Sequence, residues 1–208
     1  LTGLVWGYEK IQKYVLTSLA EKFSKIPKEK IVTPKAIIVG PLLESLKYAG
    51  SETHLREMYI NLLATSMDKE KIQNSHPAFV EIIKQLCPDE AVLLKYIAVN
   101  FSFYQFCHTT IETKAGDYYI PFESIKDEFV SLVSKSNIEN QEFALSYLDN
   151  FIRLQLIEMV NSPSEQYVQK LQRHDLEDEE YKFEQSWFEE LSFTSFGVQF
   201  IKACVAEP

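Results

Sequence analysis

The sequence predicts a mostly α-helical protein, in which an N-terminal helical bundle is followed by a winged-helix-like C-terminal part with a small β-hairpin. Three observations support this prediction. Apolar residues recur at helical spacing up to Asn100. Prolines and glycines interrupt that pattern where helices are expected to begin or end. Aromatic and β-branched residues, which favour short strands, concentrate after Asn100 and again near the C-terminus.

A chain of 208 residues has room for one large domain or for two packed subdomains. The predicted division gives an N-terminal helical subdomain at residues 1–87 and a winged-helix-like subdomain at residues 88–208, the latter with an acidic insertion at residues 161–190. One continuous domain is the alternative. Hydrophobic residues make up 46% of the chain and charged residues 25%, which excludes a largely disordered or fibrous protein.

Three helices are predicted in the first part of the chain. The first covers residues 4–23, where lysines and glutamates separate apolar residues at helical spacing. Pro41 is expected in the first turn of the second helix, after a connector, because a proline there gives up no helical hydrogen bond. The third helix follows Ser51 through "ETHLREMYINLLATSMD", whose apolar stripe indicates a packing face opposite a single polar surface.

Two prolines mark the next two helices, in "SHPAFVEIIKQLCPDEA". Pro77 and Pro88 each fit the first helical position, where the missing N–H costs nothing. Two acidic residues follow Pro88, at the end of the helix where its dipole favours negative charge. Either Ser75 or His76 is then expected to cap the first of these helices.

The rest of the chain alternates short strands and helices. The segment "FSFYQFCHTTIETKAGDYYIPF" indicates one or two short strands. The segment "LQLIEMV" is expected to pass from helix to strand, and "ELSFT" indicates the returning strand of a hairpin. Helices are expected at residues 123–133, from residue 142 to about residue 159, and in the closing segment "TSFGVQFIKACV". The order helix, strand, helix, helix, hairpin, helix is typical of a winged-helix module.

The formal net charge of −9 argues against nucleic acid as a partner, since DNA-binding proteins place clustered lysines and arginines against phosphates. Residues 161–190 carry nine acidic and three basic side chains, whereas residues 1–50 are basic. In DNA-binding winged helices the second helix of the pair enters the major groove, and here Arg153 is the only basic residue of that helix. A winged-helix nucleic-acid-binding regulator is the alternative function, and it requires a basic surface that joins the N-terminal lysines to Arg153.

The expected location is the cytoplasm. Three cysteines at wide spacings, without a CxxC pair, favour a reducing compartment. No apolar run approaches the roughly 20 residues of a membrane-spanning helix, and no signal peptide is visible. The sequence begins at Leu1 rather than at methionine, so association with a membrane through sequence missing before Leu1 is the alternative.

Four blocks of sequence carry a family resemblance: "IPKEKIVTPKAIIVGPLLESL", "LREMYINLLATSMD", "HPAFVEIIKQLCPDEA", and the pair "YLDNFIRLQLIEM" and "LSFTSFGVQFIKACV". Taken in order, from about residue 26 to residue 205, they resemble the Abi-alpha family, bacterial proteins associated by name with abortive infection, a form of anti-phage defence. The resemblance implies a mostly helical domain without a recognised nucleophile, metal set or cofactor motif. It also implies that relatives often carry further sequence ahead of the pair seen here as Trp6 and Gly7.

The sequence lacks the motifs of the common enzyme classes. It contains no GxxxxGK[ST] or GxGxxG loop, no HExxH, no GxSxG and no kinase motif set. Cys107 and His108 are adjacent, but a tetrahedral zinc site would need two further ligands from elsewhere. We therefore expect no enzyme activity, no cofactor and no metal, and a structural role for the cysteines.

His76 has two interpretations. In the first, its ring or the Ser75 hydroxyl accepts a hydrogen bond from one of the first amides of the following helix. In the second, His76 joins Arg56, Asn61 and Asp68, which lie in the blocks that resemble the family, in a polar interaction patch that faces a ligand or partner. The polar face of the third helix and the short link from Asp68 to His76 motivate this candidate site.

The preferred function is a non-enzymatic interaction or effector domain that resembles abortive-infection proteins and acts in anti-phage defence. A protein partner is expected and nucleic acid is not. A membrane surface is a second candidate partner because the first helix is amphipathic and carries lysines. A toxin-like hydrolase is a further alternative, for which the sequence offers no recognised catalytic set.

Overall fold

A computed structural model describes five stretches of the chain, residues 5–24, 26–101, 107–114, 125–163 and 183–205. These stretches form helices and short strands, with 3₁₀ turns before three of the helices and one turn of π-helix at Ile201–Val205. In chain order the elements are α1 (Tyr8–Phe23), α2 (Ala36–Ala49), α3 (Thr53–Met67), α4 (Ala78–Lys84), α5 (Pro88–Asn100), β1 (Cys107–Lys114), α6 (Ile125–Ser134), α7 (Ala144–Arg153), β2 (Ile157–Pro163), β3 (Phe183–Phe193) and α8 (Ser195–Phe200).

The chain divides into two compact units. Unit 1 consists of Leu1–Asn100 and Ser195–Pro208, and unit 2 consists of Phe101–Thr194. The sequence predicts a division after residue 87, whereas unit 1 continues to Asn100. Helix α5 belongs to unit 1 because it packs on α3, and the end of the chain returns to unit 1 because the π-helical turn packs on α3 as well.

Helix α3 forms the centre of unit 1. Every residue from Met58 to Ser66 is buried, and α1, α2, α4, α5 and the π-helical turn all pack against this helix. The predicted single polar surface is confined to the start of α3, where Thr53, His54 and Glu57 are exposed. The expectation is wrong for the rest of the helix, because polar side chains on its other faces are buried by neighbouring elements.

The two prolines after α3 mark helix starts, as predicted. Pro77 immediately precedes the first residue of α4, and Pro88 is the first residue of α5. The backbone amide of Cys87, just before α5, donates a hydrogen bond to Oε2 of Glu90 at 2.7 Å. Glu90 lies in the first turn of α5 and therefore caps its own helix. Glu90 is 4% exposed, and this bond partly compensates its burial.

Pro41 does not occupy the first turn of α2. The helix begins at Ala36, so Pro41 lies inside it and leaves the carbonyl of Ile37 without its usual helical donor. Ile37, Gly40 and Pro41 are all exposed, which places the interruption on the solvent side of the helix. Burial of the apolar side chains in "AIIVGPLL" therefore stabilises a helix that continues through Pro41, although a proline favours a helix start.

Unit 2 is winged-helix-like. Its described elements run strand, helix, helix, strand, strand, and the antiparallel sheet has the order β1, β3, β2. Strands β2 and β3 form the predicted hairpin, with Met159 opposite Leu191, and β1 pairs with the other edge of β3. The helices bury apolar side chains such as Phe129 and Phe151, each of which is fully buried. The prediction of a mostly helical protein with a small β-hairpin is confirmed. The helices at residues 88–100 and 195–200, which the predicted winged-helix order included, belong to unit 1.

Helix α7 is shorter than predicted. It ends at Arg153 instead of continuing to about residue 159, and Gln155 adopts a left-handed backbone with φ of 57°. The Leu156 amide donates to Phe151 and the Gln155 amide to Ile152, which together form a Schellman motif. Since Leu156 and Phe151 are both fully buried, burial of this apolar pair turns the chain from the helix into β2.

Among the described residues, none of the helices combines the length and the hydrophobicity that a membrane-spanning helix requires.

Candidate functional site

The candidate patch predicted from sequence divides into two parts in unit 1. Arg56 and Asn61 line one cavity of about 370 Å³, whereas Asp68 and His76 do not line it. Arg56 and Asp68 are 12 residues apart on one helix axis, or about 18 Å at 1.5 Å per residue. The structure therefore places Arg56 and Asn61 in one cavity, together with residues that the sequence did not assign to a site.

The cavity lies between α1, α3, α5 and the π-helical turn. Charged side chains from three different helices line it, with Lys22 on α1, Glu57 on α3 and Lys95 on α5. Cys204 of the π-helical turn closes one side. The two lysines could not be assigned to a site from the sequence, because no spacing along the chain relates residues on separate helices.

Arg56 is held in a fixed orientation. Its Nη1 donates to the carbonyl of Gly50 at 3.0 Å, and its guanidinium carbon lies 5.7 Å from the Trp6 ring centroid and 5.4 Å from that of Tyr14. Both distances are within the range of cation–π attraction. The buried Nε of Arg56 has no hydrogen-bond partner among the described residues. The guanidinium is thus oriented by three neighbours while one of its donors is left unused.

Trp6 is anchored against the end of α2. Its amide donates to the carbonyl of Lys47 at 2.9 Å, and its ring lies so close to Gly50 that a Cβ at that position would overlap the ring. A glycine is needed here for the close approach of the indole to the backbone. The approach in turn sets the position of the Trp6 ring beside Arg56.

Asn61 and Thr65 bind the end of the chain. Asn61 Nδ2 donates to the Cys204 carbonyl at 2.9 Å, and Thr65 Oγ1 donates to the Ala203 carbonyl at 3.1 Å. Carbonyls in the last turn of a helix lack intrahelical donors, so these two side chains of α3 satisfy them. Asn61 Oδ1 is buried and has no partner in the part of the chain that the structure describes.

The thiol of Cys204 is fully buried beside these groups. Burial raises its pKa well above the ordinary value of a thiol. A thiol that stays protonated at neutral pH is a weak nucleophile. Cys204 therefore fits the structural role expected for the cysteines; the side chain of Cys107 lies outside the described residues. Within the described ranges, no group of three or more His, Cys, Asp and Glu side chains is placed to hold a metal ion.

Asp68 shapes the chain after α3. It is 4% exposed, and its Oδ1 accepts a hydrogen bond from the Glu70 amide at 2.9 Å. Its backbone forms an isolated antiparallel bridge with Ile31. These contacts fix the turn that leads away from the helix, which gives Asp68 a structural role.

His76 caps α4. Its Nδ1 accepts the Ala78 amide at 3.1 Å, which agrees with the helix-cap interpretation made from the sequence. The ring centroid lies 5.7 Å from that of Phe79 and 5.6 Å from that of Phe196. His76 thus joins an aromatic cluster in which Phe79 of α4 contacts Phe196 and Phe200 of α8.

Replacing His76 with alanine is expected to lower the free energy of unfolding by about 0.5–2 kcal/mol, because the Ala78 amide loses its acceptor. His76→Asn should recover part of the loss, since its side-chain oxygen can cap the same helix. The measurement is urea unfolding followed by fluorescence in a Trp187→Phe background, in which Trp6 of unit 1 is the only tryptophan left. Unchanged stability together with lost biological effect would restore the functional interpretation of His76.

A second surface lies on the winged-helix-like unit. Phe143 is 52% exposed and Leu145 is 44% exposed, at the start of α7. Glu142 and Asp149 are exposed on the same helical segment. Arg153 is the only basic residue of α7. We call Glu142, Phe143, Leu145 and Asp149 the α7 surface: Glu142, Leu145 and Asp149 recur at helical spacing, and Phe143 lies in the 3₁₀ turn that leads into the helix.

Arg153 is engaged within its own helix. Its Nε and Nη2 both donate to Oδ1 of Asn150, at 3.1 and 2.6 Å. The helix that reads DNA in nucleic-acid-binding winged helices therefore presents apolar and acidic side chains here, with its single cation bound to a neighbouring amide.

Comparison with known protein families shows a match over almost the whole chain. The family described as abortive infection alpha matches residues 7–204 of the 208. The match begins at Gly7, after the tryptophan that packs on Arg56, and runs to Cys204 in the π-helical turn. No curated protein and no solved structure matches the chain. Since the match covers both units almost completely, this chain belongs to the abortive infection alpha family.

Proposed function

We propose that this protein is a non-enzymatic effector domain of abortive infection, which acts in anti-phage defence by binding another protein through the α7 surface. Membership of the abortive infection alpha family supports the biological setting. The composition of the α7 surface supports the mode of action, and it is the observation that carries the proposal.

The exposed aromatic and aliphatic side chains make this surface suited to a protein. Phe143 and Leu145 leave about half of their side-chain area in water on a short helix. Aromatic side chains such as Phe143 are enriched at the centre of protein interfaces, where neighbouring apolar and polar groups exclude water from them. Glu142 and Asp149 provide such a rim, so the fitting partner has an apolar pocket bordered by basic residues.

The same composition disfavours nucleic acid. A binder of DNA or RNA gains affinity from cations placed against phosphates, and the α7 surface carries two acids instead. The whole chain has a net charge of −9. An acidic surface on an acidic protein would repel the phosphate backbone.

The test is protection of the host from phage by the natural gene product. We expect the double variant Phe143→Ser/Leu145→Ser to restore plaque formation to the level seen without the gene, because the apolar anchors are lost. Val99→Ser is the control, since Val99 is an aliphatic residue of unit 1 that is more exposed, 74% in water, and it should keep protection intact.

A second measurement separates the partner classes. A photo-crosslinking residue at position 146, which is exposed beside the α7 surface, should yield a single protein adduct in host cells, and the double variant should lose that adduct. Purified protein should not bind duplex DNA at about 150 mM salt. Protection that persists in the double variant, or DNA binding that survives this salt, would overturn the proposal.

A further inference from the structure

We propose that a second copy of this chain docks on α2 of unit 1, in an antiparallel dimer with twofold symmetry. Each copy inserts Ile37 into a groove beside Tyr48 of the other, and Lys35 of each copy pairs with Glu52 of the other. The inference goes beyond the protein contact proposed above, because it concerns a different unit and a different partner.

One face of α2 exposes apolar groups to water. Ile37 is 62% exposed and Tyr48 is 66% exposed, and Pro41 between them is exposed as well. Residues 37, 41, 44 and 48 recur at spacings of three and four, so they form one stripe along the helix. Glu44, the charged member of the stripe, is bound to Lys47 at 2.6 Å. The middle of the stripe is therefore neutral.

A groove lies next to this stripe. It has a volume of about 450 Å³, and side chains from α2, α3 and the segment around α4 line it. Its apolar lining includes Tyr48, Leu55, Ile83 and Leu86. Because Tyr48 belongs to both the stripe and the groove, the two surfaces are continuous. We call this groove the Tyr48 groove.

The charges at the two ends of the stripe are complementary. Lys84 lines the Tyr48 groove but is bound to Glu81 at 2.7 Å. Glu52 also lines the groove, and it has no ion-pair partner among the described residues. Lys35 is exposed two residues before the isoleucine of the stripe and has no ion-pair partner among those residues either. An unpaired cation thus accompanies the exposed isoleucine, and an unpaired anion borders the groove.

Twofold symmetry allows both contacts to form twice. Ile37 and Tyr48 are 11 residues apart on one helix, or about 16 Å at 1.5 Å per residue. When two such helices pack antiparallel, Ile37 of each copy meets the Tyr48 groove of the other. Lys35 precedes the first of these positions and Glu52 follows the second, so the same arrangement brings these two charges together.

The charge of the groove favours this occupant over the α7 surface. The α7 surface carries Glu142 and Asp149, which in the Tyr48 groove would meet the like charge of Glu52. Like charges opposed across an interface disfavour a contact. The segment around Ile37 instead brings an apolar side chain together with a cation, which is the combination that the groove requires.

The test is sedimentation velocity of the full-length protein over a range of concentrations. One helix face and one groove make a small interface, so we expect a monomer–dimer equilibrium with a Kd of about 10–100 µM. Ile37→Ser should raise this Kd at least about tenfold, because two apolar side chains per dimer lose their burial. Leu16→Ser is the matched control, since Leu16 of α1 is also 62% exposed, and it should leave the Kd unchanged.

Charge reversal tests the geometry. Lys35→Glu and Glu52→Lys each oppose like charges at both contacts, so either variant alone should dimerise at least about tenfold more weakly. Mixed in equal amounts, the two variants should recover the dimer. One contact then joins the two original side chains, and the other joins two substituted side chains of opposite charge. Lys13→Glu changes the net charge as Lys35→Glu does, at an exposed position of α1, and should dimerise normally.

Three results would overturn the inference: a protein that stays monomeric up to about 1 mM, a dimer whose Kd is unchanged in Ile37→Ser, or charge variants that do not recover on mixing. The first is also the result expected if the Tyr48 groove serves a different protein. The double variant Phe143→Ser/Leu145→Ser should dimerise normally, so failure here is distinguishable from failure of the proposed α7 contact.

Discussion

Replacing Phe79 with alanine is expected to lower the free energy of unfolding of unit 1 by about 3–5 kcal/mol, the usual cost of removing a fully buried aromatic ring. Phe79 has no exposed side-chain area, and its ring lies 5.1 Å from that of Phe196 and 5.3 Å from that of Phe200. The substitution removes the contact between α4 and α8 at its centre. The cavity left behind would be lined by aromatic rings that cannot close over it without losing their own packing.

Urea unfolding in the Trp187→Phe background measures this loss, because Trp6 then reports on unit 1 alone. Tyr48→Ala is the matched control, since it removes an aromatic ring from a position of unit 1 that is 66% exposed, and it should cost no more than about 0.5 kcal/mol. A loss below about 1 kcal/mol for Phe79→Ala would contradict the packing described for α4 and α8.

Removing the side-chain bonds from α3 to the end of the chain should release the π-helical turn. In the double variant Asn61→Ala/Thr65→Val, the carbonyls of Ala203 and Cys204 lose their donors inside the protein. Each unsatisfied buried carbonyl is expected to cost about 1–3 kcal/mol. The double variant should destabilise the π-helical turn itself as well as unit 1, because Asn61 and Thr65 are the side chains that the structure shows donating hydrogen bonds to this turn.

Trypsin provides the measurement, since Lys202 is an exposed cleavage site inside the turn and cleavage there requires local opening. The rate of cleavage should rise tenfold for each 1.4 kcal/mol of lost local stability. Thr17→Val is the control, because Thr17 is an exposed threonine of α1, and its cleavage rate should match that of the unmodified protein. Equal rates in the double variant would show that the turn is held by other contacts.

The starts of α4 and α5 could be predicted from the sequence because prolines and caps act on backbone groups only a few residues away. Pro77 and Pro88 stand at helix starts for a reason that involves only neighbouring backbone groups. His76 could be assigned to a cap on the same grounds, since the amide that it accepts lies two residues away. Such interactions depend on spacing along the chain, which the sequence displays directly.

Where local signals competed with burial, burial decided the outcome. Pro41 favoured a helix start, but α2 begins five residues earlier. The apolar run through Leu154 and Leu156 suggested a longer α7, but the chain turns at Gln155 so that Leu156 can be buried beside the sheet. In both places the free energy of apolar burial exceeds the local preference of a single residue.

In the candidate site, too, some residues could be identified from the sequence and others only from the tertiary structure. Arg56 and Asn61 could be identified from sequence blocks, and they line the cavity. Three neighbours could not be identified: Trp6 and Gly50, which contact Arg56, and Lys95, which lines the same cavity. Each comes from a segment outside α3 and is brought to it only by packing. A spacing rule relates residues on one helix and carries no information about residues on another.

The sequence by itself determined the mostly helical class, the winged-helix-like order of the second part and the abortive infection alpha membership. These follow from hydrophobic periodicity, from prolines and from blocks of residues, all of which are read along the chain. The tertiary structure alone decided that α3 is buried on almost all sides, that the chain end returns to it, and that its polar side chains divide between structural bonds and a charged cavity. The physical reason is that a helix has several faces, and only the packing of its neighbours determines which of them meets water.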